Sequence, residues 1–148
     1  MGDVGRDRFE ELNVVGRGYN LGWPYFEGIV PFREDAPGDL YVSPALAFAH
    51  PGARSVTGGV FIEGDNYPAE FQNKYLIADF VLGWIQAVEV RDDGSVEAST
   101  FATGIKGISD MFYDPNSGDI FIAGLGRGSI FGDDEGLRGL YRLRYSGV

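Results

Sequence analysis

A short pattern recurs in the chain 45 residues apart, and this period restricts the folds open to it. The segment Tyr75–Asp79 (YLIAD) precedes a glycine and a strand-like run, and Ile120–Gly124 (IFIAG) precedes glycines and a second such run. The offset between Ala78 and Ala123 lies in the range of the blades of a β-propeller. Each repeat is therefore expected to be a small group of strands that covers its apolar faces with neighbouring groups.

Strand-like runs separated by turn signals cover most of the remaining sequence. They are Phe9–Val15, Ala45–His50, Ser55–Ile62, Tyr75–Phe80, Trp84–Val90, Glu97–Ala102, Ile108–Tyr113, Asp119–Ala123 and Gly139–Tyr145. Hairpin signals such as Arg91–Gly94 and Asp114–Gly118 lie between several of them, and no helical periodicity with caps is convincing. The proline-rich stretch 27–44 is predicted to be a loop.

We therefore predict an all-β chain, a partial β-propeller with about two four-stranded antiparallel blades and one strand of a preceding blade. The blades are expected at 45–90 and 97–145, and residues 1–26 form the remnant of the earlier blade. Phe9–Val15 is its strand, preceded only by a turn at Gly2–Gly5 with no partner strand.

Composition excludes several classes of function. The net charge of −10 repels phosphate backbones and anionic lipids, so neither nucleic acid nor a membrane is expected as a partner. The chain has no cysteine, which excludes disulfides and thiolate metal sites. It has no apolar run of about 18 residues and no basic segment followed by an apolar one, so neither a membrane span nor a signal peptide is visible.

Three motifs resemble a known family. They are GDVGRDRFEELN near the start, NLGWP at Asn20–Pro24 and SVTGG at Ser55–Gly59. Together they are similar to motifs of the glucose/sorbosone dehydrogenase family, six-bladed propellers that include the soluble sugar dehydrogenases dependent on pyrroloquinoline quinone (PQQ). The resemblance implies that the chain is the C-terminal portion of a larger protein and begins partway through a blade.

The resemblance also implies binding residues. The backbone carbonyls of Gly5 and Arg6 would contact the Ca²⁺ that bridges the quinone, and Glu11 would help to hold a second, structural Ca²⁺. Thr57 would face the central channel, within reach of the cofactor. The alternatives are a tight turn with a solvated carboxylate at Glu11, and an innermost strand around Thr57 that is merely crowded. One departure is Leu21, which stands where the family usually has tyrosine.

Other positions argue against cofactor chemistry in this chain. The cations that neutralise the three carboxylates of PQQ align with Val81, Gly107 and Ser109, and Lys106 is a partial substitute nearby. His50 is the only histidine. Because the family's catalytic histidine belongs to an earlier blade, we interpret His50 as a loop residue and predict no catalytic residue in the chain.

These observations leave three functions open. The intact protein would oxidise an aldose or related sugar with PQQ and Ca²⁺, the chain alone being inactive. Alternatively, it is a non-catalytic binding propeller of the hedgehog-interacting type that retains the fold and a Ca²⁺, or the chain is purely structural. The resemblance implies a periplasmic or secreted protein, and the expected partners are a small sugar and the remaining blades or further copies of the chain.

Overall fold

The structure is a computed structural model that describes residues 1–36, 41–126 and 136–147. Over these ranges it contains twelve β-strands and one turn of 3-10 helix at Ala69–Phe71, so the all-β prediction is confirmed. The chain divides into two compact units, Met1–Val56 and Thr57–Val148. In the described ranges no helix has the length and apolar character needed to cross a membrane.

The first unit contains five short strands: β1 (Gly2–Asp3), β2 (Phe9–Leu12), β3 (Phe26–Glu27), β4 (Val30–Pro31) and β5 (Leu46–Ala49). β2 is the central strand of the sheet β1-β2-β5, and both of its neighbours are antiparallel to it. β3 and β4 pair as a two-stranded hairpin that begins one residue before the stretch 27–44, which was predicted to be a loop. The proline of β4 lies at the end of a two-residue strand, where few ladder hydrogen bonds are required.

The expectation that no strand precedes β2 was wrong. β1 pairs with β2 through Gly2↔Leu12 and Asp3↔Glu11, and Met1 and Asn13 extend the pairing by hydrogen bonds in both directions. A two-residue strand is too short to show the alternation by which strands are recognised. The start of the chain is therefore held in the sheet.

The second unit contains seven strands in two sheets. They are β6 (Val56–Phe61, whose first residue ends the first unit), β7 (Tyr75–Asp79), β8 (Ile85–Val90), β9 (Val96–Ala102), β10 (Ile108–Tyr113), β11 (Ile120–Leu125) and β12 (Arg138–Leu143). The first sheet has the order β6-β7-β8-β9, and the second has the order β10-β11-β12. Each strand lies within three residues of a predicted run, because period-two alternation between turns marks both ends.

The two sheets of the second unit share one apolar core. Leu76, Ile85, Ile108 and Ile120 are completely buried, and they come from four different strands. Each such side chain contributes about 1.5–3 kcal/mol through burial. The core thus covers one face of β10-β11-β12 with the neighbouring sheet, as expected for adjacent blades.

The pairing corrects how the strands are grouped. β5 pairs with β2 of the first unit, and β9 pairs with β8 across the tight turn Arg91–Ser95. The blades were predicted at 45–90 and 97–145. The strands that pair in the two sheets span 56–102 and 108–143 instead. The echoed strands β7 and β11 begin 45 residues apart, at Tyr75 and Ile120, but this spacing does not determine where a repeating unit begins. The assignment of residues 1–26 to an earlier blade stays a prediction.

Candidate functional site

The opening turn, residues Gly5–Phe9, folds around a single carboxylate oxygen. Oε1 of Glu27 accepts hydrogen bonds from the backbone N–H groups of Arg6 at 2.8 Å, Asp7 at 2.6 Å and Arg8 at 2.8 Å, with that of Phe9 at 3.4 Å. Successive N–H groups that converge in this way form an anion-binding concavity. Because Glu27 lies in β3, the hairpin brings the anion to the turn.

The two oxygens of the Glu27 carboxylate have different surroundings. Oε2 is buried and has no hydrogen-bond partner in the part of the chain that the structure describes. Burial raises the pKa of Glu27, but the four backbone hydrogen bonds to Oε1 lower it by more. The pKa therefore lies below its ordinary value. The side chain therefore stays charged at neutral pH although it is only 2% exposed.

A second buried glutamate holds the opening turn from the strand side. Glu10 is completely buried, and its Oε2 accepts the N–H of Gly5 at 3.3 Å and that of Val56 at 3.0 Å. Its Oε1 lies 2.8 Å from Nε2 of His50. His50 lies in a turn, as interpreted from the sequence, but its ring is bound to a buried carboxylate and so has a structural partner.

Glu11 is not a solvated strand residue. It is 8% exposed, and its Oε1 accepts the N–H of Gly28 at 2.6 Å while its Oε2 accepts the side-chain amide of Asn13 at 3.1 Å. The carboxylate therefore connects β2 to the residue that follows Glu27. Its role as a metal ligand, like the roles of the Gly5 and Arg6 carbonyls, stays a prediction.

An open cleft of about 450 Å³ lies beside these groups. It is lined by Asp3, Val4, Gly5, Arg6, Glu11, Leu21, Trp23, Phe26 and Glu27. The three residues predicted from the sequence to bind metal, Gly5, Arg6 and Glu11, thus line one space. Among the described residues, no group of three or more His, Cys, Asp or Glu side chains is placed to hold a metal ion. A cation here would depend largely on backbone oxygens.

Aromatic rings pack beside Arg6 in this unit. The Arg6 guanidinium lies over the ring of Phe32 at 5.2 Å, and the Trp23 ring lies 5.2 Å from the same phenylalanine. Trp23 remains 56% exposed. Its ring packs against Phe32 and leaves much of the indole accessible.

In the second unit, Thr57 has a structural partner. Its hydroxyl donates a 2.5 Å hydrogen bond to the carbonyl of Ile108, which joins β6 to β10. A Cβ on Gly58 would lie 3.2 Å from the backbone of Asp110, and one on Gly59 would overlap the Tyr75 hydroxyl. The glycines thus allow close contacts with β10 and with Tyr75, while the role of Thr57 in cofactor binding stays a prediction.

In this chain, the three positions that align with the PQQ-binding cations have structural roles instead. The N–H of Val81 bonds to Oδ1 of the buried Asp79 at 2.9 Å. Gly107 has φ +84°, and a Cβ there would approach the backbone of Leu137 to 3.1 Å, so an arginine at this site would be strained. The Ser109 hydroxyl donates to the carbonyl of Ala123 at 3.0 Å. The described residues at these positions offer no positive charge to a cofactor.

Sequence reasoning missed Glu27 and Glu10. The available signal was the density of acidic residues inside apolar segments: Glu10 and Glu11 in FEEL, and Glu27 in PYFEG. Since an unpaired buried carboxylate is costly, such residues indicate that donors lie nearby. The identity of those donors depends on the fold.

Two curated plant proteins match the chain. The HIPL2 protein of Arabidopsis thaliana is 30% identical over 108 residues, covering 63% of this chain and 15% of that protein. The HIPL1 protein of the same plant is 26% identical over 164 aligned positions, covering 99% of this chain and 23% of that protein. No protein-family model matches the chain.

Solved structures give the fold. A crystal structure of glucose dehydrogenase matches with a TM-score of 0.71 at 18% identity, over 99% of this chain and 40% of that one. The chain shares the fold of this glucose dehydrogenase. The soluble aldose sugar dehydrogenase (Asd) of Escherichia coli, solved in its apo form, matches with a TM-score of 0.68 at 21% identity, over 97% of this chain and 39% of that one. The predicted resemblance and the partial propeller are thereby confirmed, and the chain spans about two fifths of these structures.

Proposed function

We propose that this chain is part of a sugar-dehydrogenase-like propeller that oxidises an aldose or related sugar when intact, and that the opening turn contributes to a Ca²⁺ site. The observation that carries the proposal is the opening turn itself, which is folded around Glu27 beside a cleft lined by Gly5, Arg6 and Glu11. The fold shared with two sugar dehydrogenases supports the substrate class.

The residues present fit a calcium ion. Ca²⁺ prefers six to eight oxygen ligands and accepts carbonyls and carboxylates together. The cleft is lined by the backbone of Gly5 and Arg6 and by Glu11, whose carboxylate the resemblance assigns to a second ion, and we propose that all three serve one Ca²⁺. When bound, the ion would supply a fixed positive charge; the protein groups hold and orient the ligand oxygens and keep the site partly closed.

The residues present do not fit PQQ. Its three carboxylates need cations, and Val81, Gly107 and Ser109 occupy the corresponding positions. We assign no reaction step to the quinone in this chain. In the proposed enzyme, those cations and the catalytic base come from residues outside it.

Calorimetry tests the calcium site. We expect the 148-residue chain to bind Ca²⁺ weakly, at roughly 10⁻⁴–10⁻³ M, because few of the ligands are charged side chains. Glu11→Gln should weaken binding, whereas Glu34→Gln, an equal change of charge at an exposed position of the same unit, should not. Equal binding heats for wild type and Glu11→Gln would show that Glu11 is not a calcium ligand and has only a structural role.

Dye reduction tests catalysis. The intact protein, supplied with PQQ, Ca²⁺ and an aldose, should reduce an electron-accepting dye, and the 148-residue chain should not. If the chain alone turns over the sugar and His50→Ala abolishes this activity, then His50 was wrongly excluded as a catalytic base. An inactive intact protein that still binds Ca²⁺ would support the second candidate.

That second candidate is a non-catalytic propeller module. It is favoured by the absence of positive charge at Val81, Gly107 and Ser109 and by the matches to the two HIPL proteins. Under either candidate we propose a periplasmic or secreted protein, in which further blades cover the exposed sheet of the second unit.

A further inference from the structure

The hydrogen bonds to Glu27 determine where two backbone carbonyls of the opening turn point. A trans peptide is planar, so the C=O of one residue and the N–H of the next point in opposite directions. Among the described residues, the cis peptides are Trp23-Pro24 and His50-Pro51, so the peptides that follow Gly5 and Arg6 are trans. The N–H groups of these peptides, on Arg6 and Asp7, point at Glu27 Oε1 from 2.8 and 2.6 Å.

The carbonyl oxygens of Gly5 and Arg6 therefore point away from the Glu27 carboxylate. In the part of the chain that the structure describes, neither of them accepts a hydrogen bond. Two adjacent carbonyls with free lone pairs and a common orientation provide two oxygens for a hard cation. The carboxylate also polarises both peptides, since hydrogen bonds in series strengthen one another, and this increases the negative charge on the two oxygens.

We propose that Glu27 is the positioning residue of the calcium site: it binds the N–H side of the opening turn and thereby directs the carbonyls of Gly5 and Arg6 toward the ion. This inference rests on the calcium site proposed above. Glu27 acts through the backbone and not as a ligand for the same ion, because the carbonyls face away from it. The site thus depends on an acidic side chain 21 residues away from the carbonyl-bearing turn.

The geometry also explains why the acceptor must be an anion. Four N–H groups converge on one oxygen, and a neutral acceptor would compensate their partial charges less well. Without an acceptor, these N–H donors would turn toward water or toward other oxygens. The peptide planes would rotate with them, and the two carbonyls would lose their common direction.

Terbium(III) luminescence together with calcium calorimetry on the full 148-residue chain tests whether Glu27 positions the two carbonyls. Three variants are compared with wild type: Glu27→Gln, which keeps one acceptor oxygen without the charge; Glu27→Ala, which removes the acceptor; and Glu34→Ala as the exposed control. The luminescence lifetimes in H₂O and D₂O count the waters bound to the ion. This count reports the ligand shell of folded molecules and does not change when a variant is merely less stable.

We expect Glu27→Ala to lose about 10- to 100-fold in calcium affinity, as is typical when groups that orient metal ligands are removed. Its bound-water count should rise by about one or two as carbonyls leave the shell. Glu27→Gln should be intermediate in both measurements, and Glu34→Ala should match wild type. If Glu27→Ala fails to fold, the calcium affinity and the bound-water count of Glu27→Gln test the proposal.

Two results would overturn the proposal, and they are distinguishable. If wild type binds neither ion, the proposed calcium site fails and this role fails with it. If wild type binds both ions and the folded Glu27 variants keep its affinity and water count, the calcium site stands and only the role of Glu27 is rejected.

Discussion

At the scale of single residues, buried carboxylates in the first unit are surrounded by backbone N–H groups. Glu27 accepts four, Glu10 accepts two in addition to the imidazole of His50, and Glu11 accepts one. Moving an ionised carboxylate out of water is costly unless donors replace the lost hydration. These side chains therefore serve to order the backbone, and each one constrains the conformation of a turn or strand end.

The lowered pKa of Glu27 predicts how stability depends on pH. A carboxyl group whose folded pKa is depressed contributes stability above its unfolded value, near 4.5, and loses that contribution as the pH falls through the folded pKa. Glu27→Gln should therefore destabilise the chain most at neutral pH and progressively less below pH 4.5. Urea unfolding of both proteins from pH 7 to pH 3 measures this, and a difference that does not change with pH would contradict it.

Gly5 is expected to tolerate no side chain. A Cβ there would overlap the carbonyl oxygen of Phe9 and would lie 3.3 Å from Oε1 of Glu27, so the opening turn would have to move. Gly5→Ala should cost about 1–3 kcal/mol in the free energy of unfolding, in line with overpacking elsewhere. Gly52→Ala is the control, because its nearest contact would be 3.3 Å. Equal losses in denaturant unfolding would show that the turn adapts.

The candidate site could be predicted from the sequence only in part. The positions of Gly5, Arg6 and Glu11 followed from motifs, and the structure places all three around one cleft. Glu27 could not be found in this way, because its hydrogen bonds reach residues 18–21 positions away. Local patterns carry no information about which turn a buried carboxylate will meet once the hairpin has formed.

At the scale of elements, Asp119 joins the start of β11 to the end of β12. Its carboxylate is 2% exposed and accepts hydrogen bonds from Nε of Arg142 at 2.6 Å and Nε of Arg144 at 3.0 Å. Asp119→Ala should cost about 1.5–3 kcal/mol, because charged hydrogen bonds are lost. A double-mutant cycle with Arg142→Ala measures the coupling, with the exposed pair Arg91 and Glu97 as the comparison. Coupling no larger than in that pair would contradict the prediction.

The strands themselves were predictable, and their partners less so. β10 begins and ends at the predicted residues, because Ile108, Met111 and Tyr113 turn to the core between two clear turn signals. The partner of β5 depends instead on contacts with β2, which lies more than thirty residues earlier in the chain. Strand pairing over such distances follows from burial of the whole unit and not from the alternation of either strand.

At the scale of the whole molecule, one face of the sheet β10-β11-β12 presents exposed apolar side chains. Phe112, Leu125 and Leu140 are 61%, 58% and 72% exposed, and strand alternation places them opposite the core-facing residues. Exposed apolar patches of this kind favour association. We expect the isolated chain to self-associate, with sedimentation coefficients that rise with concentration.

A substitution within that face provides the control. Leu140→Lys should shift the association to higher concentration, whereas Val90→Lys, at a 55% exposed position of the other sheet, should leave it unchanged. A cooperative monomer at high concentration in wild type would contradict the prediction. If both lysine substitutions weaken self-association equally, the effect comes from the change in net charge and not from this face.

The position of Glu10 has a consequence for the order of events in folding. Its carboxylate connects segments separated by 5, 40 and 46 residues in the chain. Before those segments meet, the charge is more stable in water, and closing the two long loops around it has an entropic cost. We therefore expect Glu10 to become buried only after the transition state for folding, so that the interactions it makes slow unfolding more than they speed folding.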